Sequence, residues 1–318
     1  MEKKKKVAVF FPLDEAHRSR LLEYAASAEF RFPEDPGFET ELADTEVMLG
    51  NPEPSSLKQA KALKWLQLGS AGADQYIGGG VLPAGAVLTN ASGAYGKSIA
   101  EYMIGMVISL FLDLPHYRDN QRGELWEVSG KARHIPGTTA LAVGVGDIGG
   151  EFARRYRALG GHVIGIKRNP SPKPDYLDAQ ATLDRLDEFL PLADVVALSL
   201  PSTPETYHLM NEKRFALMKQ GSILVNVGRG TAVDTDALCR ALTQGPLAGA
   251  ALDVTEPEPL PAGHPLWKIP TAFLTPHMSG RWESADNFER VFDIIFENLG
   301  RYLRGEPLLN LVNLTVGY

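Results

Sequence analysis

Short apolar runs alternate with amphipathic stretches along almost all of this 318-residue chain. Residues 140–144, 194–200 and 249–254, among others, have the length and the apolar content of strands that are buried on both faces. The stretches between such runs are apolar on one side, as helices packed on a sheet are. Because parallel strands need crossover connections, this alternation predicts an α/β fold of doubly wound parallel sheets.

The strand candidates fall into two series, and the chain length favours two domains over a single core. The first series comprises residues 7–11, 46–49, 65–68 and 87–89, and the second comprises 140–144, 162–166, 194–200, 222–227, 249–254 and 272–275. A glycine-containing stretch and a long helical segment, 97–117, separate them. The last helical segment, 287–304, has no later strand to support. We therefore predict a larger domain, 97–285, inserted into a smaller one formed by 1–96 and 286–318.

Composition and charge exclude several classes of partner. The net charge of −7 opposes binding to a nucleic-acid backbone. Cys239 is the single cysteine, so no internal disulfide or thiolate metal cluster can form, and we predict no metal. The longest apolar stretch, 102–114, falls short of the ~20 residues that span a bilayer. We expect a cytoplasmic protein that binds neither nucleic acid nor membrane.

A glycine motif follows the first strand of the second series. Gly144, Gly146 and Gly149 form a G-x-G-x-x-G pattern, with Asp147 and Ile148 between the last two, directly after an apolar strand and at the start of a helix. The first glycine permits a tight turn, the second lets the backbone approach a pyrophosphate, and the third lets helix and strand pack closely. The helix N-terminus then offers N–H groups to the phosphates. The sequence predicts a Rossmann dinucleotide-binding domain.

The residues after the next strand bear on which dinucleotide is bound. An acid is expected there if the cofactor is NAD, because a carboxylate binds the ribose 2′-hydroxyl. Lys167 and Arg168 stand there instead, and two cations favour the 2′-phosphate of NADP. The alternative interpretation is a pair of solvated basic residues, with Asn169 and Ser171 able to serve either cofactor.

Polar residues suited to chemistry follow three later strands. Arg229, Glu258 and His277 come after the strand candidates at 222–227, 249–254 and 272–275. Ligands of open α/β sheets bind beyond the carboxyl ends of strands, so we expect these side chains to face one crevice. Taken singly, Glu258 between two prolines is more typical of a loop residue, and Arg229 of a residue that neutralises a strand end.

Together with the glycine motif, these segments resemble the D-isomer-specific 2-hydroxyacid dehydrogenase family along almost the whole chain. The matching segments are 68–74, 98–102, 144–149, 200–206, 225–230, 253–259 and 275–280. The resemblance implies hydride transfer between NADP or NAD and a small 2-keto or 2-hydroxy acid. It also implies that the smaller domain holds the substrate and that the protein is a homodimer through the nucleotide domain, with 97–117 and the arm around Trp126 as candidate interface.

The resemblance implies roles for individual residues. Arg229 would hold the substrate carboxylate, His277 would exchange a proton with the substrate oxygen, and Glu258 would orient the histidine. Glu258 is preferred to Glu256 because it lies five residues after Asp253, the family's spacing. The implied cofactor contacts beyond the glycine motif and the two cations are Pro201, Thr206, Val227, Gly228, Asp253, which is expected near the nicotinamide amide, and Gly280. The implied substrate loop is Ser70, Ala71 and Gly72.

Some features depart from the family or leave alternatives open. Trp282 stands where a small hydroxyl residue is expected, so the substrate among small 2-keto acids is not specified. The other histidines, His208 among them, are predicted to be surface or packing residues. A non-enzymatic dinucleotide sensor of the same fold is the alternative function. Formate-oxidising relatives rank lower because they place an amide where Glu258 stands.

Overall fold

The structure is a computed structural model that describes residues 4–38, 42–78, 80–128, 132–282 and 284–317. It divides into two compact units, a first unit of Met1–Tyr95 with Arg281–Tyr318 and a second unit of Gly96–Gly280. The predicted boundaries, after residues 96 and 285, lie one and five residues beyond those of the structure. Every predicted site residue falls within the described ranges.

These ranges contain twelve strands and nine α-helices. The strands are β1 (Lys5–Val9), β2 (Ala28–Arg31), β3 (Val47–Leu49), β4 (Trp65–Gln67), β5 (Val87–Thr89), β6 (Thr139–Val143), β7 (His162–Lys167), β8 (Ala179–Thr182), β9 (Val195–Leu198), β10 (Ile223–Asn226), β11 (Gly249–Leu252) and β12 (Ala272–Leu274). The helices are α1 (Glu15–Tyr24), α2 (Pro54–Leu57), α3 (Gly96–Phe111), α4 (Leu114–Arg122), α5 (Asp147–Ala158), α6 (Leu186–Phe189), α7 (Glu212–Leu217), α8 (Thr235–Thr243) and α9 (Ala285–Arg304).

The first unit is built on a parallel sheet of five strands in the order β2-β1-β3-β4-β5. Four of these strands were predicted, and β2 was not. It lies at the sheet edge, and only Ala28 of its four residues is buried. An edge strand pairs on one side only and carries polar residues, so it lacks the apolar run that marks a buried strand.

Helix α9 packs against this first sheet through a buried polar contact. Asn298 is fully buried, and its Nδ2 donates hydrogen bonds to Gln67 Oε1 at 2.7 Å and to the carbonyl of Leu309 at 3.0 Å. One turn further along, the ring of Tyr302 stacks on Trp65 with centroids 5.1 Å apart. Helix α9 thus completes the core of the first unit, to which strands β1–β5 also belong.

The second unit is built on a parallel sheet of seven strands in the order β12-β11-β10-β9-β6-β7-β8. Strands β6, β9, β10 and β11 are buried almost throughout. Six strands were predicted, and β8 was missed because it is a half-exposed edge strand of small and polar residues. The direction of strand addition reverses between β6 and β9, which is where ligands bind in such sheets.

The single helix predicted at 97–117 is wrong, since the segment forms α3 and α4 with a bend of 67° between them. Asp113 has a φ of 55°, in the left-handed region, and Pro115 lies in the first turn of α4. Both features interrupt the hydrogen-bond ladder of a continuous helix. Across the described ranges no single helix is long and apolar enough to cross a membrane; α3 and α4 meet that test only as a bent pair.

Candidate active site

The predicted site residues of the second unit lie along one edge of its sheet. All seven strands run in the same direction, so the segments that follow them emerge at a shared edge. His277 follows β12, Glu258 lies in the segment after β11, and Arg229 follows β10. These are three consecutive strands of the sheet. The glycine motif follows β6 and Lys167 ends β7, on the other side of β9.

The three glycines of the motif have different surroundings. Gly144 has a φ of 93°, and a Cβ there would lie 2.9 Å from the carbonyl of Ser199. A Cβ on Gly149 would lie 1.9 Å from the carbonyl of Gly144, so helix α5 can approach β6 only without one. A Cβ on Gly146 would meet no atom within 4 Å. The space above Gly146 is therefore open at the N-terminus of α5, as an approaching pyrophosphate requires.

Asp147 connects the motif to helix α3. Its carboxylate accepts a hydrogen bond of 2.9 Å from the backbone N–H of Gly96, the first residue of α3. The negative charge lies beside the positive ends of two helix dipoles, those of α3 and α5. Ile148 follows, half-buried in the first turn of α5. The Asp147 side chain thus contacts α3, and the contact of this residue with a cofactor stays a prediction.

Two cations lie at the carboxyl end of β7. Lys167 Nζ donates to Ser171 Oγ at 2.8 Å, and Gln180 on β8 donates to the carbonyl of Ser171 at 2.7 Å. Arg168 Nε lies 3.4 Å from a carboxylate oxygen of Glu205, and both of these side chains are exposed. Lys167 is thus held by a neutral hydroxyl of its own loop. Arg168 lies beside an acid of the 201–206 turn.

The predicted contacts after β9 and β10 are mainly backbone features. Thr206 is buried, and its hydroxyl donates to the carbonyl of Pro201 at 2.7 Å, which closes the 201–206 turn. Val227 donates its N–H to the carbonyl of Leu198 at 3.1 Å. A Cβ on Gly228 would lie 2.6 Å from backbone atoms of Leu200. This stretch therefore presents backbone, not side chains, at the edge of the sheet.

The turn that carries Arg229 is fixed from both sides. Asn226 is fully buried; its Nδ2 donates to the carbonyl of Arg229 at 3.0 Å, and its Oδ1 accepts from the N–H of Gly228 at 3.1 Å. A Cβ on Gly230 would lie 1.9 Å from the carbonyl of Thr255. The backbone of Arg229 is thus held in place, and its side chain is half-buried. Asn226 belongs to a predicted motif segment, but no role was predicted for it.

His277 and Glu258 are brought together. His277 Nδ1 lies 2.6 Å from Glu258 Oε1, and the two side chains are 51% and 41% exposed. An ionised carboxylate can only accept, so in a contact with an ionised Glu258 the donor is Nδ1. Across the described contacts Nε2 has no hydrogen-bond partner. The pair therefore presents an accessible ring nitrogen whose orientation is set from the opposite side of the ring.

Asp253 holds the loop on which His277 sits. Its buried carboxylate accepts four hydrogen bonds, from Thr275 Oγ1 at 2.7 Å, Met278 N at 2.8 Å, Ser279 N at 2.9 Å and Ser279 Oγ at 2.5 Å. The N–H of His277 donates to the carbonyl of Asp253 at 2.8 Å, and His277 has a left-handed φ of 48°. Asp253 thus fixes the residues on both sides of His277; its contact with a nicotinamide amide stays a prediction.

Tyr102 on α3 extends this network and was not predicted. Its hydroxyl lies 2.7 Å from Thr275 Oγ1. Because Thr275 gives its one proton to Asp253, Tyr102 is the donor in this pair. Burial raises the pKa of Tyr102 to about 12, so the donor stays protonated at neutral pH. The motif at 98–102 contains this residue, but only the fold shows that its hydroxyl contacts Thr275.

The predicted substrate loop lies in the first unit, after β4. The carbonyls of its three residues are all engaged: Ser70 accepts from Ala91 N, Ala71 from Asn90 Nδ2, and Gly72 from the Ser70 hydroxyl, at 2.7–2.9 Å. No hydrogen bond within the described ranges uses the backbone N–H groups of these three residues. A half-buried loop with tied carbonyls and available N–H groups suits a carboxylate ligand.

The segment after His277 passes from the second unit to the first. Gly280 is the last residue of the second unit. Trp282, which departs from the family pattern, packs in the first unit against Phe11 and Phe288, with ring centroids 6.1 and 5.7 Å away. The large ring is therefore accommodated by an aromatic cluster of its own unit.

Replacing Thr275 should show how much the Asp253 network stabilises the second unit. Thr275→Val leaves Tyr102 without its acceptor and Asp253 with one donor fewer, so we expect a loss of about 1–3 kcal/mol in the free energy of unfolding. Thr275→Ser keeps the hydroxyl and should lose much less. Urea unfolding followed by fluorescence measures both. Equal stability of the valine variant and the wild type would contradict this account.

Comparison with known proteins agrees with this arrangement. Residues 104–279, more than half of the chain, match the model of the D-isomer specific 2-hydroxyacid dehydrogenase NAD binding domain. A glyoxylate reductase of Thermofilum pendens is 31% identical over 86% of this chain and 79% of its own length. Other curated relatives are named formate dehydrogenase and D-3-phosphoglycerate dehydrogenase.

Solved structures share the fold over nearly the whole chain. A D-isomer specific 2-hydroxyacid dehydrogenase family protein of Aeromonas salmonicida is 32% identical, with a TM-score of 0.85 over 98% of this chain and all of that one. A D-isomer specific 2-hydroxyacid dehydrogenase of Xanthobacter autotrophicus, in complex with NADPH and MES, is 28% identical, with a TM-score of 0.85 over 99% of this chain and all of that one. The chain belongs to the D-isomer specific 2-hydroxyacid dehydrogenase family and has that family's NAD(P)-binding Rossmann domain.

Proposed function

We propose that this protein is an oxidoreductase that reduces a small 2-keto acid to the D-2-hydroxy acid, with NADPH as the preferred reductant. The observation that carries the proposal is the 2.6 Å contact between His277, which follows β12, and Glu258, which follows β11, beside the strand β10 that precedes Arg229. A proton donor and a carboxylate-binding cation at one sheet edge are the two protein groups that this reaction needs. The D configuration follows from the family.

The glycine motif fits a dinucleotide. The open space at Gly146 and the N-terminus of α5 suit the pyrophosphate, and the backbone of Val227 and Gly228 suits the part of the cofactor beyond it. Pro201 and Thr206 would bound this region as a closed turn. When bound, the cofactor supplies the hydride to the keto carbon or takes it back from the hydroxy acid.

The chain's own residues would bind and polarise the substrate. Arg229 holds the carboxylate and the adjacent carbonyl through charge-assisted hydrogen bonds. In the first unit, the N–H groups of Ser70, Ala71 and Gly72 would offer donors suited to a carboxylate, which is the role of a backbone nest. The site therefore selects a compound with a carbonyl next to a carboxylate, the feature shared by glyoxylate, pyruvate and hydroxypyruvate.

His277 would move the proton. In its charged form Nδ1 donates to Glu258 and Nε2 carries the proton that passes to the carbonyl oxygen; in oxidation Nε2 takes the proton back. The Glu258 carboxylate would orient the ring by accepting the hydrogen bond from Nδ1. Formate oxidation transfers a hydride with no proton at a carbonyl oxygen, so a histidine held by an acid supports keto-acid reduction over formate oxidation.

Lys167 and Arg168 support the preference for NADPH. They lie where the strand after the glycine motif ends, and a 2′-phosphate there would face two cations. A carboxylate that would bind a 2′-hydroxyl is absent from both of these positions. The related Xanthobacter enzyme was solved with NADPH, which agrees with the proposal.

The reaction itself is tested by the loss of nicotinamide absorbance with NADPH or NADH and glyoxylate, hydroxypyruvate, pyruvate or phenylpyruvate. His277→Asn removes the ring and still tolerates the left-handed backbone at this position. We expect kcat/KM to fall by about 10²- to 10⁴-fold, with NADPH binding retained. Binding of the dinucleotide by the wild type without turnover of any keto acid would contradict the proposal and indicate a sensor.

The cofactor preference is tested separately by the double variant Lys167→Ala/Arg168→Ala. Losing two charge-assisted contacts to a phosphate should reduce the preference for NADPH over NADH by roughly 10- to 100-fold, with KM for NADH nearly unchanged. Arg185→Ala is the matched control, because Arg185 is also an exposed arginine beside a glutamate. An unchanged ratio of kcat/KM values for the two cofactors would show that these cations do not contact the 2′-phosphate.

We further propose that the second unit forms a homodimer through its α3–α4 segment and the residues that follow it. Trp126 is fully exposed, Val128 is largely exposed and Leu125 is about half exposed, so three apolar side chains face water. Trp126→Ser with Leu125→Ser should shift sedimentation toward the monomer, whereas Trp267→Ser, at another exposed tryptophan, should not. A wild-type monomer, or a dimer unaffected by the first variant, would contradict this assembly.

A further inference from the structure

A second histidine–glutamate pair lies next to the first. His208 Nε2 is 2.7 Å from Glu256 Oε2, and the two side chains are only 34% and 30% exposed. Glu256 precedes Glu258 by two residues, so two neighbouring glutamates are each paired with a different histidine. His208 was predicted to be a surface or packing residue, and Glu256 was the alternative to Glu258 as the catalytic acid. The contact gives both residues a defined partner.

His208 is held in place independently of Glu256. Its N–H donates to the carbonyl of Thr231 at 2.7 Å, and its φ of 45° lies in the left-handed region. The ring stacks on Tyr207, with centroids 4.1 Å apart and planes 14° apart. A ring fixed by its backbone and by stacking loses little freedom when it binds a carboxylate, so it is suited to restrain one.

The backbone around Glu256 is anchored as well. The hydroxyl of Thr235 donates to the carbonyl of Glu256 at 2.8 Å, and the hydroxyl of Thr255 donates to the carbonyl of Pro257 at 2.9 Å. These contacts fix the peptide chain but not the two glutamate side chains. The direction of each carboxylate is set by the histidine that it meets.

We propose that His208 is a positioning residue that holds the Glu256 carboxylate away from His277, so that Glu258 alone pairs with His277 Nδ1. Without His208, a second carboxylate two residues from Glu258 is released in the same short segment. It would repel the Glu258 carboxylate, because like charges in one short segment repel each other, and it would compete for the Nδ1 proton. An effect of His208 on turnover rests on the proposed function. An effect of His208 on the pairing of Glu258 with His277 does not.

The test uses His208→Ala, Glu256→Gln and the double variant in the full-length protein. The first readout, made without any substrate, is the downfield proton resonance of His277 Nδ1–H, which Glu258→Gln identifies by its loss. We expect this resonance to move upfield in His208→Ala and to stay in place in Glu256→Gln. The double variant should match the wild type, since no carboxylate remains to be released. His208→Asn, which suits the left-handed backbone, should behave as His208→Ala.

The second readout is turnover of the keto acid. His208→Ala should lower kcat by roughly 10- to 100-fold with KM for NADPH unchanged, and the added Glu256→Gln change should restore it. His162→Ala is the control, because His162 also lies near an acid, Asp178, but begins β7 at the opposite end of the strands. An unshifted Nδ1–H resonance in both His208 variants would overturn the proposal, as would a defect that persists in the double variant. Failure of the proposed function appears instead as a wild type without turnover, in which the resonance still reports on His208.

Discussion

The site depends on one buried carboxylate, that of Asp253. A buried carboxylate is costly unless hydrogen bonds replace its water, and this one accepts four. The four donors come from Thr275, Met278 and Ser279, the residues that flank His277. The loop cannot relax without leaving Asp253 unsatisfied, and this requirement is what maintains the left-handed backbone of His277. The position of the candidate proton donor is therefore set by a charge that does not itself contact the donor's ring.

The parallel sheet brings this ordered loop to the same edge as the other predicted site residues of the second unit. Because all strands of the second unit point one way, residues far apart in sequence emerge at one edge, and glycines let the connecting loops touch. Gly228 and Gly230 lie where a Cβ would collide with the backbone of Leu200 and Thr255. Backbone contact between neighbouring loops therefore fixes the position from which the Arg229 side chain extends.

The local sequence pattern predicted the buried strands and the polar residues that follow them, because each of these features depends on a short stretch of sequence. It failed at β2 and β8, whose exposed edges carry no apolar run, and at Asp113, where one left-handed residue divides a helix. It also missed the pairs Tyr102–Thr275 and His208–Glu256, separated by 173 and 48 residues. Such pairs form only when the crossover connections bring distant elements together in the fold. The periodicity of a sequence does not contain that information.

The proposed preference for NADPH depends on the difference in free energy between two ion pairs of Arg168, one with Glu205 and one with the 2′-phosphate. Arg168 already faces Glu205, and a 2′-phosphate would have to exchange with that carboxylate. Both side chains are exposed, so their pair contributes only about 0–1 kcal/mol. Under the proposal, the 2′-phosphate would replace this weak pair, and the gain would be smaller than at an unopposed arginine. In a chain with a net charge of −7, Lys167 and Arg168 place two cations at one point of the sheet edge, where the proposed 2′-phosphate would meet them.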